Sequence, residues 1–244
     1  MISVCIPTFN GEKYIGQQIA SILPQLEIDD EIIISDDGSK DNTLRILQSF
    51  NDNRIKIISN KRSKNSEKNN FMYVTKNVEN ALLNVSGDII FLADQDDLWR
   101  ADKVSIMIQD LKNYDLVLSD CVIIDADGQK IHSSYFEMNN SKTGIANNLI
   151  KNSYLGCCMA FKSSILETVL PMSKYEVPHD IWIGLLAEKF FRVRFIDETL
   201  VYYRRHGNNL SASSEKSSNT IFYKLAYRLN LIVAIITRII LLKK

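Results

Sequence analysis

Short β-branched runs alternate with helical stripes through the first 120 residues, and this alternation restricts the fold more than any other feature of the sequence. Strand-like runs occupy residues 2–6, 31–35, 55–58, 88–93 and 116–118. Between them, apolar side chains recur with the period of amphipathic helices, as in residues 71–85 and 104–111. Strand, helix and strand in this order form βαβ units, in which the strands are parallel and helices cover both faces. The sequence therefore predicts an α/β fold with a mostly parallel central sheet.

Composition and charge restrict the class of protein further. The chain has 244 residues, of which 45% are hydrophobic and 24% are charged, and its 29 basic residues balance 29 acidic ones. These values are typical of a globular protein and exclude collagen, a disordered chain and a small disulfide-stabilised protein. None of the four cysteines has metal-ligand spacing, and no basic segment followed by an apolar run opens the chain. We therefore expect reduced thiols and a cytoplasmic protein that does not bind nucleic acid.

The first of two acidic clusters follows the strand-like run 31–35, at the kind of strand end where parallel sheets bind their ligands. It consists of Asp36-Asp37-Gly38-Ser39, with Asp41 shortly after it. A tight turn followed by a helix cap at Asp41 accounts for one acid. Two adjacent carboxylates remain without a structural reason. We therefore predict that this cluster contacts a ligand, with the turn alone as the alternative.

The second acidic cluster, Asp94-Gln95-Asp96-Asp97, directly follows the run 88–93. Asp97 fits the N-cap of a helix beginning near Trp99. Asp94 and Asp96 are two residues apart and can reach a common point. Carboxylate oxygens suit Mg²⁺ and Mn²⁺, and acids crowded at one strand end repel each other unless a cation lies among them. The sequence therefore predicts a divalent-metal site here.

The pair His179-Asp180 stands at the start of a predicted helix over residues 180–189. An acid at this position either caps the helix or takes part in chemistry, and the spacing alone does not decide between the two roles. Both residues therefore enter the list of candidate site residues, with the helix cap as the alternative.

Basic residues follow the last strand-like run, 200–203. They are Arg204, Arg205 and His206. Guanidinium groups pair with phosphate, and a neutral imidazole can bind a metal ion. The alternative for the two arginines is a solvated basic turn, because arginine side chains are mostly exposed in proteins.

Several motifs, taken together and in their order, resemble family-2 glycosyltransferases. They are Pro7-Thr8-Phe9-Asn10-Gly11, Tyr14, Ser21-Ile22-Leu23-Pro24-Gln25, the segment from Asp36 to Thr43, Gly87-Asp88 and Asp94-Gln95-Asp96-Asp97-Leu98-Trp99. A second set is similar to the bacterial rhamnosyltransferase-like branch of this family. It comprises Asn69-Asn70-Phe71, His179-Asp180-Ile181-Trp182 and the segment from Tyr203 to Asn209. The resemblance extends from residue 2 to residue 213.

This resemblance implies a GT-A type fold and an inverting, metal-dependent sugar transfer. The implied donor is a UDP- or dTDP-linked sugar, and the implied cofactor is Mn²⁺ or Mg²⁺. The implied acceptor is a hydroxyl of a glycan or of a lipid-linked molecule in bacterial surface polysaccharide assembly. Within residues 1–213, the resemblance implies that residues 1–120 bind the nucleotide sugar and that residues 121–213 bind the acceptor.

The resemblance also implies roles for individual residues. Those implied at the nucleotide are Pro7, Thr8, Phe9, Asn10, Asp37 and Asp94, and those implied at the metal are Asp96, Asp94 and His206. Asp180 corresponds to the catalytic base, and His179 stands where the family usually has an acid. Contacts to the diphosphate or to the acceptor are assigned to His179, Trp182, Arg204 and Arg205. A carboxylate base fits an inverting displacement, because the acceptor hydroxyl must lose its proton.

Residues 214–244 form a basic tail that differs from the rest of the chain. Six basic residues and no acid follow Glu215, which leaves 23 basic and 29 acidic residues, a net charge of −6, in residues 1–215. Residues 221–242 carry an apolar helical stripe and a narrow basic arc. The continuously apolar part, 229–242, is shorter than the roughly 20 residues needed to cross a bilayer, so we predict an amphipathic helix on the inner-membrane surface. A helix packed on its own domain or on a second subunit of a homodimer is the alternative.

Two other functions compete with a glycosyltransferase. A nucleotide-sugar-binding partner subunit without catalytic activity would share the nucleotide motifs but would not need Asp94, Asp96 and Asp180 together. A phosphorelay receiver domain also places acids at strand ends, but it is much shorter than this chain and has no use for the second acidic cluster.

Overall fold

The structure is a computed structural model that describes residues 1–60, 70–207, 209 and 221–243, with backbone only at 70 and 221–223. Its strands are β1 (Ile2–Thr8), β2 (Glu31–Asp36), β3 (Ile55–Ser59), β4 (Ile89–Leu92), β5 (Leu98–Trp99), β6 (Leu116–Ile124), β7 (Lys130–His132), β8 (Met159–Lys162) and β9 (Val193–Arg204). Its helices are α1 (Ile15–Ile22), α2 (Thr43–Ser49), α3 (Asn70–Leu82), α4 (Lys103–Leu111), α5 (Tyr135–Asn139), α6 (Ile145–Ile150), α7 (Leu166–Val169), α8 (His179–Phe190) and α9 (Ile221–Leu241). Motif residues 69 and 208, and residues 214–220 of the predicted tail, lie outside the described residues.

The nine described strands belong to one mixed sheet. Its strand order is β3-β2-β1-β4-β8-β6-β9-β5, and β7 pairs with β6. Strands β3, β2, β1 and β4 are parallel, whereas β8 is antiparallel to both of its neighbours, β4 and β6. The predicted α/β fold is thus confirmed, and its regular parallel part corresponds to the regular first half of the sequence.

The strands of the second half are longer than the apolar runs that predict them. Strand β9 joins the two short runs at 193–196 and 200–203 into one strand of 12 residues. It pairs in parallel with β6, with register shifts on both sides of Asp120. Asp197 and Glu198, which separate the two runs, are exposed in this irregular stretch. A β-bulge admits extra residues without ending the strand, and this explains why the polar interruption is not a loop.

The carboxyl ends of the parallel strands meet at one edge of the sheet. Thr8 at the end of β1 lies beside Asp36 at the end of β2, and Cys5 lies beside Leu92 at the end of β4. Every residue of β2 is buried, because elements cover both faces of the parallel part. The loops that follow these three strands are therefore brought together at the edge where parallel sheets bind ligands.

Helix α9 packs on its own domain through an inner face. The buried side chains of that face are Leu231, Ala234 and Ile235, and the helix contacts α6 and α8. Arg228 Nη2 donates to Ile150 O at 2.7 Å. Arg238 Nε donates to Thr168 O at 2.8 Å. The basic arc that the sequence assigns to a membrane surface therefore faces the protein, and both arginines anchor the helix.

The opposite face of α9 is apolar and exposed, and we call it the outer stripe. Its members are 37–62% exposed and are Leu225, Leu229, Ile232, Val233, Ile236 and Ile240. At about 100° per residue they span an arc roughly 100° wide. Across the stretches that the structure describes, no helix combines the length and the apolarity needed to cross a membrane.

Candidate active site

A cavity of about 1150 Å³ lies at the carboxyl ends of β1, β2 and β4 and extends to α6, α8 and α9. The predicted site residues that line it are Pro7, Thr8, Phe9, Asn10, Asp37, Asp94, Asp96, His179, Asp180 and His206. Three other predicted site residues, Trp182, Arg204 and Arg205, do not line it. Residues from both halves of the chain thus meet in one cavity.

The loop after β1 is fixed by hydrogen bonds to the loops after β2 and β4. Phe9 N donates to Gln95 Oε1 at 3.0 Å, and Gln95 Nε2 donates back to Phe9 O at 3.3 Å. Asn10 N donates to Ser39 Oγ, and Lys40 N donates to Asn10 Oδ1, both at 2.9 Å. Asn10 has a positive φ of 49°, which asparagine tolerates better than most residues. Hydrogen bonds to the two neighbouring loops therefore fix the conformation of the loop after β1.

The two acids after β2 have different surroundings. Asp36 organises the turn, because its Oδ2 accepts from Gly38 N at 3.0 Å and from Ser39 N at 2.9 Å. Its Oδ1 accepts from Ser39 Oγ at 2.6 Å. Asp37 lines the cavity, and its Oδ1 accepts from Asn60 Nδ2 at 3.3 Å. The turn interpretation therefore describes Asp36, and Asp37 is the acid that faces the ligand space.

Asn77 of α3 lines the cavity and is not among the site residues predicted from the sequence. Its buried side chain accepts from Ser35 Oγ at 2.6 Å and donates to Thr8 O at 3.2 Å. It thereby joins the ends of β1 and β2 beneath the ligand space. The available signal was an amide on the apolar helix face of Val74 and Val78, because a polar group there needs partners. Other residues that line the cavity but were not predicted as site residues are Tyr135, Asn139, Asn152, Lys224, Tyr227 and Arg228.

Asp96 and His206 meet in the cavity from distant parts of the chain. His206 Nε2 lies 2.8 Å from Asp96 Oδ2, and Asn209 Nδ2 donates to the same oxygen at 3.4 Å. The His206 ring stacks on Tyr14 with 5.0 Å between ring centres. Carboxylate oxygens suit Mg²⁺ and Mn²⁺, and imidazole is the commonest metal-binding side chain. The pair therefore fits the predicted divalent cation.

Asp94 experiences the crowding of acids that the sequence predicts. Burial, followed by the negative charges of Asp96 and Asp180, raises the pKa of Asp94. A bound cation would favour the ionised form, since opposite charges nearby stabilise a carboxylate. Asp94 is therefore close enough to the predicted metal ligand and the predicted base to be repelled by both, and a positive charge there would relieve the repulsion.

Asp97 does not cap a helix, so that prediction is wrong. Residues Leu98–Trp99 form β5, which pairs with β9, and α4 begins at Lys103. Asp97 is fully buried, and its Oδ1 accepts from Arg204 N at 2.8 Å. An acid followed by apolar residues resembles a helix start locally, whereas the pairing with β9 is a long-range contact that the local pattern does not contain.

A buried polar cluster lies behind the acids of the cavity. Ligand-bearing atoms of Asp94, Asp97 and Cys157 lie within 4.8 Å of one another. Beside them, Lys103 Nζ donates to Cys157 O at 2.7 Å and lies 4.2 Å from the centre of the Trp99 ring. Burial raises the pKa of Asp97 and lowers that of Lys103. This cluster adjoins the cavity through Asp94 and Cys157 and contains a fully buried lysine.

Asp180 lies in the first turn of α8 and faces the cavity. Its Oδ1 accepts from Ile181 N at 2.7 Å, and its Oδ2 accepts from Asn152 Nδ2 at 3.5 Å. Burial raises the pKa of Asp180, against the opposing effect of His179. Burial also lowers the pKa of His179, which favours its neutral form. A carboxylate with a raised pKa is a better proton acceptor once it is ionised, as a catalytic base requires.

Two residues assigned to ligand contacts have structural partners instead. Trp182 is buried in the core, and its Nε1 donates to Val169 O at 2.8 Å. Arg204 is also buried, with its Nε donating to Asp96 O at 2.9 Å. Its guanidinium lies 4.7 Å from the centre of the Tyr14 ring. Arg204 therefore orders the backbone of a predicted metal ligand, and neither side chain lines the cavity.

A protein-family model matches most of this chain. The model described as Glycosyl transferase family 2 matches residues 3–170. This range contains the loop after β1 and both acidic clusters, and it ends before Asp180 and His206. The match covers well over half of the chain and agrees with the resemblance drawn from the motifs.

Curated proteins that match the chain are named as bacterial glycosyltransferases. It is 30% identical over 218 residues to the dTDP-rhamnosyl transferase RfbG of Shigella flexneri, with 83% of this chain and 72% of that protein covered. It is 29% identical over 199 residues to the UDP-Glc:alpha-D-GlcNAc-diphosphoundecaprenol beta-1,3-glucosyltransferase WfgD of Escherichia coli, with 77% and 70% covered. The two names differ in donor and in sugar, so the matches agree only on the class of enzyme.

Solved structures show the same fold. Staphylococcus aureus TarS 1-349 in complex with UDP-GlcNAc superposes with a TM-score of 0.69 at 17% identity, covering 96% of this chain and 67% of that chain. The match to another structure of TarS 1-349 covers 60% of the TarS chain, so the present chain spans only part of that protein. The glucosyl-3-phosphoglycerate synthase of Mycobacterium tuberculosis with Mn²⁺, UDP and phosphoglyceric acid gives 0.58 at 18% identity, covering 98% and 78%. These likenesses bear out the GT-A type fold.

Proposed function

Because the chain belongs to glycosyl transferase family 2, we propose a specific reaction for this glycosyltransferase. It transfers a sugar from a UDP- or dTDP-linked donor to a hydroxyl of a glycan or lipid-linked acceptor in bacterial surface polysaccharide assembly. The reaction inverts the anomeric carbon and uses Mn²⁺ or Mg²⁺. The observation that carries the proposal is one cavity that unites Asp94, Asp96 and His206 with Asp180.

The donor nucleotide is proposed to bind along the loops after β1, β2 and β4. The proposed contacts are Pro7, Thr8, Phe9, Asn10, Asp37 and Asp94. Their place at the carboxyl ends of parallel strands supports this assignment, because ligands of such sheets bind there. Phe9 is 39% exposed beside the cavity and offers an apolar surface for a base. Asn77, which joins two of these loops from below, is added as a positioning residue.

The divalent cation would be bound by Asp96 and His206, with Asp94 nearby. When bound, such a cation stabilises the negative charge that develops on the leaving nucleoside diphosphate. The chain itself positions both ligands. Arg204 Nε bonds the backbone of Asp96, and the Tyr14 ring stacks on His206, so contacts within the chain order both residues.

Asp180 is proposed as the catalytic base. The acceptor oxygen attacks the anomeric carbon from the face opposite the diphosphate, and its proton passes to Asp180. The bond between the anomeric carbon and the diphosphate oxygen breaks, and the diphosphate leaves with the electron pair. One displacement inverts the carbon. The raised pKa of Asp180 supports this role, and the base must approach the hydroxyl to about 2.6–3.2 Å.

The chain is proposed to divide its work in three parts. Residues 1–120 bind the donor, residues 121–213 bind the acceptor, and residues 214–244 form the basic tail. The cavity supports the first division, since the loops after β1, β2 and β4 line one part of it and α6 and α8 line another. His179 is proposed to contact the diphosphate or the acceptor because it lines the cavity, and the same role for Trp182, Arg204 and Arg205 stays a prediction.

A screen of nucleotides and sugars tests this function. We expect UDP or dTDP to raise the melting temperature when Mn²⁺ or Mg²⁺ is present, because a ligand that binds only the folded state stabilises it. The matching nucleotide sugar should be hydrolysed slowly and transferred when an acceptor is supplied. If no nucleotide changes the melting temperature and no donor is cleaved, the proposed reaction is wrong. A thermal response without any donor cleavage would favour the non-catalytic partner subunit.

The outer stripe of α9 is proposed to bind the cytoplasmic face of the inner membrane. Large apolar side chains in an uncharged arc support this, because exposed apolar patches mark membrane or protein contacts. Leu229→Glu combined with Ile236→Glu should weaken binding to phosphatidylglycerol vesicles at least tenfold. Asn230→Glu, which adds a charge beside the stripe, is the matched control. A chain that forms dimers through the stripe and ignores vesicles would overturn this part.

A further inference from the structure

Helix α9 contributes three polar side chains to the cavity. Lys224, Tyr227 and Arg228 line it, and all three are partly exposed. Their spacing of i, i+3 and i+4 puts them on one face of the helix, within an arc about 100° wide. This face continues the inner face of α9 toward its N-terminal end. There the helix borders the cavity.

A short series of contacts connects this part of α9 with the proposed base. Arg228 Nη2 donates to Ile150 O at 2.7 Å. Two residues further along the chain, Asn152 Nδ2 donates to Asp180 Oδ2 at 3.5 Å. Ile150 and Asn152 both line the cavity. Helix α9 is therefore connected, through Ile150 and Asn152, to the part of the cavity that contains Asp180.

Charges of opposite sign line different parts of the cavity. Asp94, Asp96 and Asp180 line the cavity, Lys13 lines it beside Tyr14, and Lys224 and Arg228 line it from α9. Two cations on one helix face favour an anionic group over a neutral sugar. Guanidinium and ammonium groups bind phosphate oxygens through strong charge-assisted hydrogen bonds. Asp94 and Asp96 are already assigned to the donor diphosphate and its cation, so the favoured position for a second anionic group is at α9.

The outer stripe begins directly beside the basic pair. Leu225 follows Lys224 and Leu229 follows Arg228 in the sequence, each turned by about 100° around the helix. Both leucines are more than half exposed, at 56% and 62%. A phosphate attached to a hydrocarbon chain matches both surfaces. A free phosphate or an acidic glycan matches the basic pair alone.

We propose that Lys224 and Arg228 recognise the phosphate of a lipid-linked acceptor. The phosphate or diphosphate binds between the two cations, the hydrocarbon chain lies along the outer stripe, and the sugar reaches Asp180. The inference rests on the proposed function, because Asp180 as base defines the acceptor side. It makes two residues of the C-terminal helix determinants of acceptor specificity.

Binding of farnesyl diphosphate to the full chain tests this inference. The nucleoside diphosphate and Mn²⁺ identified in the screen are kept saturating, so that the donor side is filled. We expect Lys224→Gln combined with Arg228→Gln to weaken the Kd about 100-fold, roughly tenfold for each charge-assisted hydrogen bond that the substitutions remove. Inorganic pyrophosphate should bind the wild type at least tenfold more weakly than farnesyl diphosphate, because it lacks the chain that covers the outer stripe.

The control variant is Lys243→Gln, which removes one exposed charge from the far end of the same segment and should leave the Kd unchanged. Since Arg228 also bonds Ile150, Lys224→Gln alone is measured as well, and a tenfold loss of affinity is expected. A double variant with a Kd within twofold of wild type overturns the inference. Equal affinity for pyrophosphate overturns its lipid part.

Two outcomes separate this inference from the proposed function. A wild type that responds to nucleotide and cleaves a donor but does not bind farnesyl diphosphate contradicts the inference alone. A wild type that responds to no nucleotide contradicts the proposed function instead.

Discussion

The two sides of the cavity are constructed in different ways. On the proposed nucleotide side, Phe9, Asp37 and Asp94 each stand within two residues of the end of a parallel strand. On the proposed acceptor side, Asp180 lies in the first turn of a helix, Asn152 lies in a loop and Arg228 comes from the last helix. The geometry of the nucleotide side follows from the sheet, whereas that of the acceptor side depends on contacts between short, separate elements.

Those contacts are concentrated at Glu188 of α8. Its Oε1 accepts from Tyr154 Oη and from Gly144 N, both at 2.7 Å, and from Asn148 Nδ2 at 3.4 Å. These bonds hold α6 and the chain that follows it against α8. Arg228 in turn attaches α9 to α6. The acceptor side is thus a chain of polar contacts, and a single substitution can displace more of it than a substitution in a nucleotide loop.

The largest effect is expected from Asp180→Asn. The amide keeps the size of the side chain and can still accept from Ile181 N, but it cannot take a proton at neutral pH. Transfer should fall about 10²- to 10⁴-fold, the range for loss of a general base. The melting-temperature response to nucleotide and Mn²⁺ should remain, because the nucleotide loops are untouched. The measurements are the transfer rate and the thermal shift.

An exposed acid provides the control for this change. Asp127→Asn lies in a surface loop and should alter neither quantity. If transfer persists unchanged in Asp180→Asn, Asp180 is not the catalytic base. Loss of the nucleotide response in the same variant would show that the two sides are not independent.

The nucleotide side could be predicted from the sequence because its signals are local. Strand β2 and its acids are contiguous, and the same holds for β4 and Asp94. The resemblance to a family of known fold then assigned roles to these positions. The local pattern gave a wrong prediction at Asp97. The surroundings of Asp97 are formed by the pairing of β5 with β9 and by Arg204, which lies more than 100 residues later in the chain.

The acceptor side could be predicted only in part. Asp180 and His179 are predicted from the motif that they share, whereas Asn152 carries no local signal and Lys224 and Arg228 are recognised only as part of a basic arc. The basic arc of α9 was identified correctly as an arc and assigned to the wrong surroundings, because periodicity defines the faces of a helix and not what each face meets. Leu231 and Ile235 turn the basic side inward by packing on the domain.

The next largest effect is expected for Asp96→Asn, which tests whether the cation binds on the proposed nucleotide side. Asp96→Asn removes a charged oxygen next to His206 Nε2, and a neutral amide oxygen binds a hard cation less well. We expect affinity for Mn²⁺, measured by calorimetric titration with UDP or dTDP present, to fall about 100-fold. Binding of farnesyl diphosphate should change little. His132→Asn, at an exposed histidine, is the control, and an unchanged Mn²⁺ affinity in Asp96→Asn would contradict the proposed ligand set.

Two glycines allow a matched test of both sides. A Cβ on Gly11 would lie 2.4 Å from Gln95 Oε1, and a Cβ on Gly156 would lie 2.6 Å from His179 Nε2. Each alanine must therefore displace one cavity side chain. Gly11→Ala should raise the KM for the donor about tenfold, and Gly156→Ala should do the same for the acceptor, since overpacking shifts its neighbours.

The control for this pair is Gly16→Ala, whose Cβ would meet its nearest neighbour at 3.4 Å. It lies in α1, where alanine also favours the helix, so both KM values should stay the same. If Gly11→Ala changes the KM for the acceptor instead of the donor, the assignment of the two sides is reversed.

The smallest effect concerns the free energy of unfolding, which a base with a raised pKa lowers as the pH increases. Because burial raises the pKa of Asp180 above that of the unfolded chain, the folded protein holds this proton more tightly than the unfolded chain does. The stabilising contribution is therefore complete below the unfolded pKa and is lost as the pH rises through the folded pKa. Asparagine does not ionise, so Asp180→Asn should melt higher relative to wild type at pH 8 than at pH 5, by a few degrees. Thermal melts of metal-free protein measure the difference, and Asp127→Asn should show none. A difference that shrinks with rising pH would mean that Asp180 is stabilised in its ionised form, and the base would then be weaker than the acceptor side requires.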